Sequence, residues 1–138
     1  MTSTSQPTDS RDVAAPGRHA MPAPVVFVVD VVCVIIFAMA GRSAHGGVQG
    51  LADVAGVAWP FLVALGVGWM IVGGTRRAAP RTISDGVIVF IATLAGGMLL
   101  RGATGGGIAG AFIMVAAGFL ALTLIGWRLL ARRTLRGA

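Results

Sequence analysis

Asp30 interrupts a run that otherwise carries no charge, PVVFVVDVVCVIIF. A carboxylate among Val, Ile and Phe is costly to bury unless it is paired. It is therefore either a titrating group for a proton or cation, or half of a fixed ion pair joining two helices. On a helix its face would include Phe27, Cys33, Val34, Phe37 and Gly41. Arg128 is the expected partner, because guanidinium suits buried bidentate pairing. Asp53 and Asp85 fall where helices should begin, so their charge would complement a helix dipole, with Ser84 as the expected N-cap beside Asp85. Arg42 and Arg101 each end an apolar segment, with His45 close by. Two readings stand for them. One is a pair of helix-end cations reaching for the interface. The other is a site for a phosphate, lipid headgroup or other anion, in which Arg42, Asp53, Arg101 and His45 cluster at one face.

No familiar catalytic set accompanies these residues. The chain has no Glu, so no Glu pair exists, and no Ser-His-Asp triad or His/Cys cluster can be assembled from its two His and one Cys. Cys33 has no second thiol for a disulfide or a CxxC motif, and reads as a small buried hydrophobe. His19 carries no role. The run GATGGGIAG over Gly102–Gly110 lacks the Lys-Ser/Thr of a phosphate loop and follows no strand, as a dinucleotide fingerprint would require. A non-enzymatic protein without cofactor or metal is expected. Gly102, Gly106 and Gly110 are four apart, as are Ala64 and Gly68, and Ala92 and Gly96. Small residues at that spacing let helices approach closely, within one chain, between copies, or against a membrane-complex partner.

The elements that must position these residues follow from composition. Only 12% of the 138 residues are charged, about half the share of a soluble domain. Four apolar segments are legible, at about 23–41, 52–73, 83–100 and 108–130. Each holds roughly 18–23 residues, enough to cross ~30 Å of hydrocarbon. The first is rich in Val and Ile, but an unpaired strand in lipid would leave its backbone unsatisfied. The expected fold is an all-α membrane domain over 21–131, a four-helix bundle. Before it lies a polar tail, 1–20, expected to be disordered. After it, 132–138 forms a basic tail. Pro60 should kink the second helix.

All eleven cations are arginines. Nine of them, Arg11, Arg18, Arg76, Arg77, Arg81, Arg128, Arg132, Arg133 and Arg136, fall on one side, against Arg42 and Arg101 on the other. By the positive-inside rule both termini are cytoplasmic, in the inner (plasma) membrane of a bacterium. The basic excess is thereby explained by orientation and not by nucleic acid. Trp69 and Trp127 should lie near the inner interface and Trp59 near the outer one.

A short internal match accompanies this layout. Met39, Arg42, Ala44, Gly46 and Gly47 recur at one offset as Met98, Arg101, Ala103, Gly105 and Gly106, and Gly68-Trp69 recurs as Gly126-Trp127. Two repeated helical hairpins would produce it, and so would shared composition.

The run DVVCVIIFAMAGRSAH from Asp30 to His45, with Ala58-Trp59-Pro60-Phe61, Gly68-Trp69, Gly97-Met98-Leu99-Leu100-Arg101 and Gly126-Trp127-Arg128, resembles a family of small actinobacterial membrane proteins. It is the domain of unknown function numbered 3054. The resemblance covers about residues 24–130 and implies a four-helix integral membrane protein. It brings no activity and no catalytic residue. The expected function is a structural or accessory membrane component. The alternatives are a small proton-coupled transporter using Asp30, and lipid or anion binding at Arg42 and Arg101.

Overall fold

The computed structural model describes residues 21–43 and 50–134. Four long helices make up the domain: α1 (Ala23–Ser43), α2 (Leu51–Arg76), α3 (Ile83–Ala103) and α4 (Gly110–Thr134). All four are long and apolar enough to cross a membrane. At 1.5 Å per residue, even the 21-residue helices reach about 31 Å, the thickness of the hydrocarbon layer. The termini lie one to four residues beyond most of the expected bounds, because the flanking arginines stay helical. The stretch 132–134, expected in a basic tail, continues α4. The expected tail 1–20 and the end of the chain, 135–138, lie outside the described residues.

The outward faces are apolar. Val28, Met70, Ile91, Leu99, Met114 and Leu122 are all exposed. Water would penalise that surface, whereas acyl chains would not. Polar burial decides the inside instead. A core of Val34, Phe37, Phe61, Leu65, Val72, Val89, Leu120 and Leu124 runs between the helices, and Phe37 meets Phe61 edge-on at 5.0 Å.

The closest helix pair is α2 with α3, and small residues make it so. A Cβ built on Gly96 would lie 2.9 Å from the Ala64 Cβ, and one on Gly68 would lie 3.1 Å from the Ala92 Cβ. The two small-residue motifs read from the sequence thus face each other, antiparallel, inside one chain. Gly97 is pressed against the Phe61 ring with no room for a side chain. These faces are consumed within the bundle, so they do not supply the self-association surface that the sequence left open.

Two other expectations change. Gly102–Gly110 is not a helix-packing face: α3 ends at Ala103, Gly105 takes a φ of +79° in the turn, and α4 starts at Gly110. The N-cap of α3 is Thr82, not Ser84. Its hydroxyl accepts from the Asp85 N–H at 3.1 Å, while the Asp85 carboxylate accepts from the Thr82 N–H at 3.1 Å, forming a capping box. Pro60 lies inside α2, which stays helical on both sides of it. A π-helical turn, Ala121–Ile125, lies within α4, with Leu120, Leu124 and Arg128 buried around it.

Candidate functional site

Asp30 and Arg128 meet between the helices near one end of the bundle, both with fully buried side chains. The pair is bidentate: Nη1 donates to Oδ1 at 2.8 Å and Nη2 to Oδ2 at 2.7 Å. Two indoles complete the carboxylate's shell. Trp69 Nε1 donates to Oδ2 at 3.0 Å and Trp127 Nε1 to Oδ1 at 2.9 Å. Each oxygen therefore accepts two hydrogen bonds, and the four together match what a carboxylate can accept.

The guanidinium is equally occupied. Nη1 also donates to the Leu124 carbonyl at 2.6 Å. Nε and Nη2 both donate to the Pro80 carbonyl, at 3.2 and 2.9 Å. All five guanidinium N–H groups thus have an acceptor. The Leu124 carbonyl sits in the π-helical turn, where the wider winding loosens the usual i→i−4 pairing and makes a carbonyl available. Arg128 also stacks on Trp127, its guanidinium carbon 4.6 Å from the ring. The passage of its chain depends on Gly86, where a Cβ would stand 2.6 Å from Arg128 Cδ.

Four parts of the chain converge here: α1 through Asp30, α2 through Trp69, the α2–α3 loop through Pro80, and α4 through Leu124, Trp127 and Arg128. The sequence pointed to Asp30 and Arg128 but assigned Trp69 and Trp127 only to an aromatic belt. A signal was present. Both tryptophans follow a glycine in the repeated Gly-Trp pair, at the depth of a carboxylate in need of donors. Nothing in the sequence singled out Pro80 or Gly86.

The same end holds further ties. Arg76 Nε lies 3.1 Å from Asp85 Oδ1, a charge contact without hydrogen-bond alignment. Arg81 Nε donates to the Met21 carbonyl at 2.8 Å, joining the α2–α3 loop to the start of α1. Arg77 turns the chain out of α2 with a left-handed φ of +50°.

The opposite end is looser. Arg42 Nη2 lies 3.3 Å from Asp53 Oδ2, with both side chains about one-third exposed. Arg101 does not join them. Its Nε donates to the Gly107 carbonyl at 3.3 Å, and its guanidinium rests 4.6 Å above Phe112. Of the four residues expected at this face, Arg42 pairs with Asp53, whereas Arg101 contacts Gly107 and Phe112. Arg101 is thereby held by the α3–α4 turn that follows it. His45 lies outside the described residues. Cys33 is a free, half-buried thiol packed against the core. Among the described residues, no group of three or more His, Cys, Asp or Glu stands close enough to hold a metal ion.

Residues 27–131 match the family model described as a protein of unknown function, DUF3054. The chain belongs to this family. The matched span takes in Asp30, Trp69, Pro80, Gly86, Trp127 and Arg128, so the whole buried centre of this DUF3054 chain lies within it. No curated protein and no solved structure gives a match.

Proposed function

We propose that this DUF3054 chain is a non-enzymatic structural or accessory component of the plasma membrane, a bundle held in one arrangement by its buried ion pair. The observation that carries this reading is the saturation of Asp30. Its carboxylate is 0% exposed and accepts from four N–H donors. A proton-coupled carrier needs an acid that exchanges its proton with a wet cavity, and Asp30 has no free lone pair to offer. Separating α1 from α4 would break two ionic hydrogen bonds in a low-dielectric interior. That cost resists the rocking motions on which alternating access depends.

Both termini are cytoplasmic in this reading, on the nine-to-two division of arginines. The Asp30–Arg128 centre then lies toward the cytoplasm, and the Arg42 and Arg101 ends toward the exterior. Two measurements test the proposal. Reporter fusions at the C-terminus and after Gly105 should give opposite sidedness, with the first cytoplasmic; the reverse pattern overturns the orientation. Vesicles reconstituted with the full chain and loaded with a pH-sensitive dye should show no proton flux dependent on Asp30. Flux abolished by Asp30→Asn in a chain that still folds would replace the structural reading with the transporter.

A further inference from the structure

The end of the bundle away from the ion pair contains a cleft that no described residue fills. It lies between α1 and α4, has a volume of about 170 Å³, and is lined by Phe37, Ala40 and Gly41 on α1 and by the stretch from Ala109 to Phe119 on the α4 side. Along α4 it runs from Ala109 to Phe119, about 15 Å at the helical rise, or half of a ~30 Å hydrocarbon layer. That is the depth of one acyl chain in one leaflet. The lining is apolar throughout, as an acyl chain requires.

A cation stands beside the cleft, on the ring of one of its lining residues. Arg101 lies over Phe112, one of the lining residues, and only its Nε has a protein acceptor. Among the described residues its two Nη nitrogens donate to nothing, and they belong to the last turn of α3. A free guanidinium presents a two-pronged donor that fits phosphate. The other arginine at this end is differently employed: Arg42 is held by Asp53 on the α1–α2 side.

We propose that this cleft binds an anionic phospholipid, with one acyl chain between α1 and α4 and the headgroup phosphate on Arg101. Charge complementarity selects this occupant over a second copy of the chain. The only described carboxylate at this end is Asp53, already paired with Arg42, so a second copy brings a cation against Arg101 and no free acid. The inference rests on insertion of the bundle in a bilayer. It does not rest on the structural role proposed above.

The test uses the purified full chain, delipidated in mild detergent, with phosphatidylglycerol, phosphatidylcholine and inorganic phosphate as probes. Native mass spectrometry counts retained lipid, and the melting temperature reports both folding and ligand stabilisation. Phosphatidylglycerol should be retained in preference to phosphatidylcholine. Arg101→Gln should weaken that retention about tenfold, the scale of one charge-assisted hydrogen-bonded contact. Gly41→Leu places a side chain where a Cβ meets nothing within 4 Å, and should exclude the acyl chain while the lipid-free melting temperature holds. Arg42→Gln removes the same charge from the same end and should leave retention unchanged. Equal losses in Arg42→Gln and Arg101→Gln would reduce the effect to general charge and overturn the site. Equal retention of the two lipids would overturn the headgroup assignment. Stabilisation by inorganic phosphate alone, undiminished by Gly41→Leu, would make this an anion site without an acyl chain. A change in oligomeric state on Gly41→Leu without change in lipid retention would assign the cleft to a second copy.

Discussion

Substituting Asp30 by Asn tests the buried centre most directly. The side chain keeps its size, but one oxygen becomes an NH₂ group. Asp30 accepts from Arg128 twice and from each of two indoles once. In the variant the amide oxygen still accepts two of these bonds. The amide nitrogen faces the other two donors, one guanidinium N–H and one indole N–H, and can accept from neither. Two bonds are lost, and Arg128 keeps its charge without a counter-charge. Two lost bonds, at about 1.5–3 kcal/mol for a charged partner, sum to ~3–6 kcal/mol. Polar contacts in bilayers fall below such values, because separated helices also find partners in the membrane. The expected loss is therefore about 3 kcal/mol, at the low end of the range for breaking a buried pair. Arg128→Gln should cost less. An orphaned carboxyl can neutralise itself by taking up a proton, whereas a guanidinium cannot give one up. The assay is SDS-titrated unfolding in bicelles, read by proteolysis of the open state, on both single variants and the double. The double variant should be less harmful than the sum by at least ~1.5 kcal/mol, well outside the error expected for independent sites. A coupling below ~0.5 kcal/mol would refute the reasoning, because two groups that share two hydrogen bonds cannot behave independently.

Gly86→Ala should destabilise the chain by about 1–3 kcal/mol in the same assay, since its Cβ would enter the path of an Arg128 side chain clamped at both ends. Gly118→Ala, where a Cβ meets nothing, should be neutral or stabilising by up to ~1 kcal/mol through helix propensity. Trp69→Phe and Trp127→Phe each remove one N–H donor and should each cost about 1 kcal/mol. If the indoles act through the carboxylate, one of these costs should shrink in the Asp30→Asn background, and independence of both from Asp30 would contradict the shared shell. Gly97→Ala, pressed into the Phe61 ring, should separate α2 from α3, which cysteine crosslinking between Ala64 and Gly96 positions would register as lost efficiency.

Length and hydropathy alone determined the four spans, because an apolar segment of some twenty residues has few solutions in water and one in lipid. The same physics required Asp30 to be paired. Depth along the helices pointed to Arg128, since two charges at similar depth in adjoining spans can meet. Rotation about the helix axes was a different matter. Ala64-x-x-x-Gly68 and Ala92-x-x-x-Gly96 were visible as motifs, but a motif does not say which neighbour it faces, and here the two face each other. Arg42 and Arg101 look equivalent in the sequence, yet one turns to Asp53 and the other to Phe112. Likewise the sequence assigned Trp69 and Trp127 to one interface by position alone, and only their rotation toward α1 makes them donors to Asp30. The Pro80 carbonyl carries no side-chain signal at all, because any residue supplies the same backbone oxygen. One-dimensional spacing records how deep a residue lies in the membrane. Packing of the helices against one another decides the azimuth, and hydrogen-bond partners are chosen by azimuth as much as by depth.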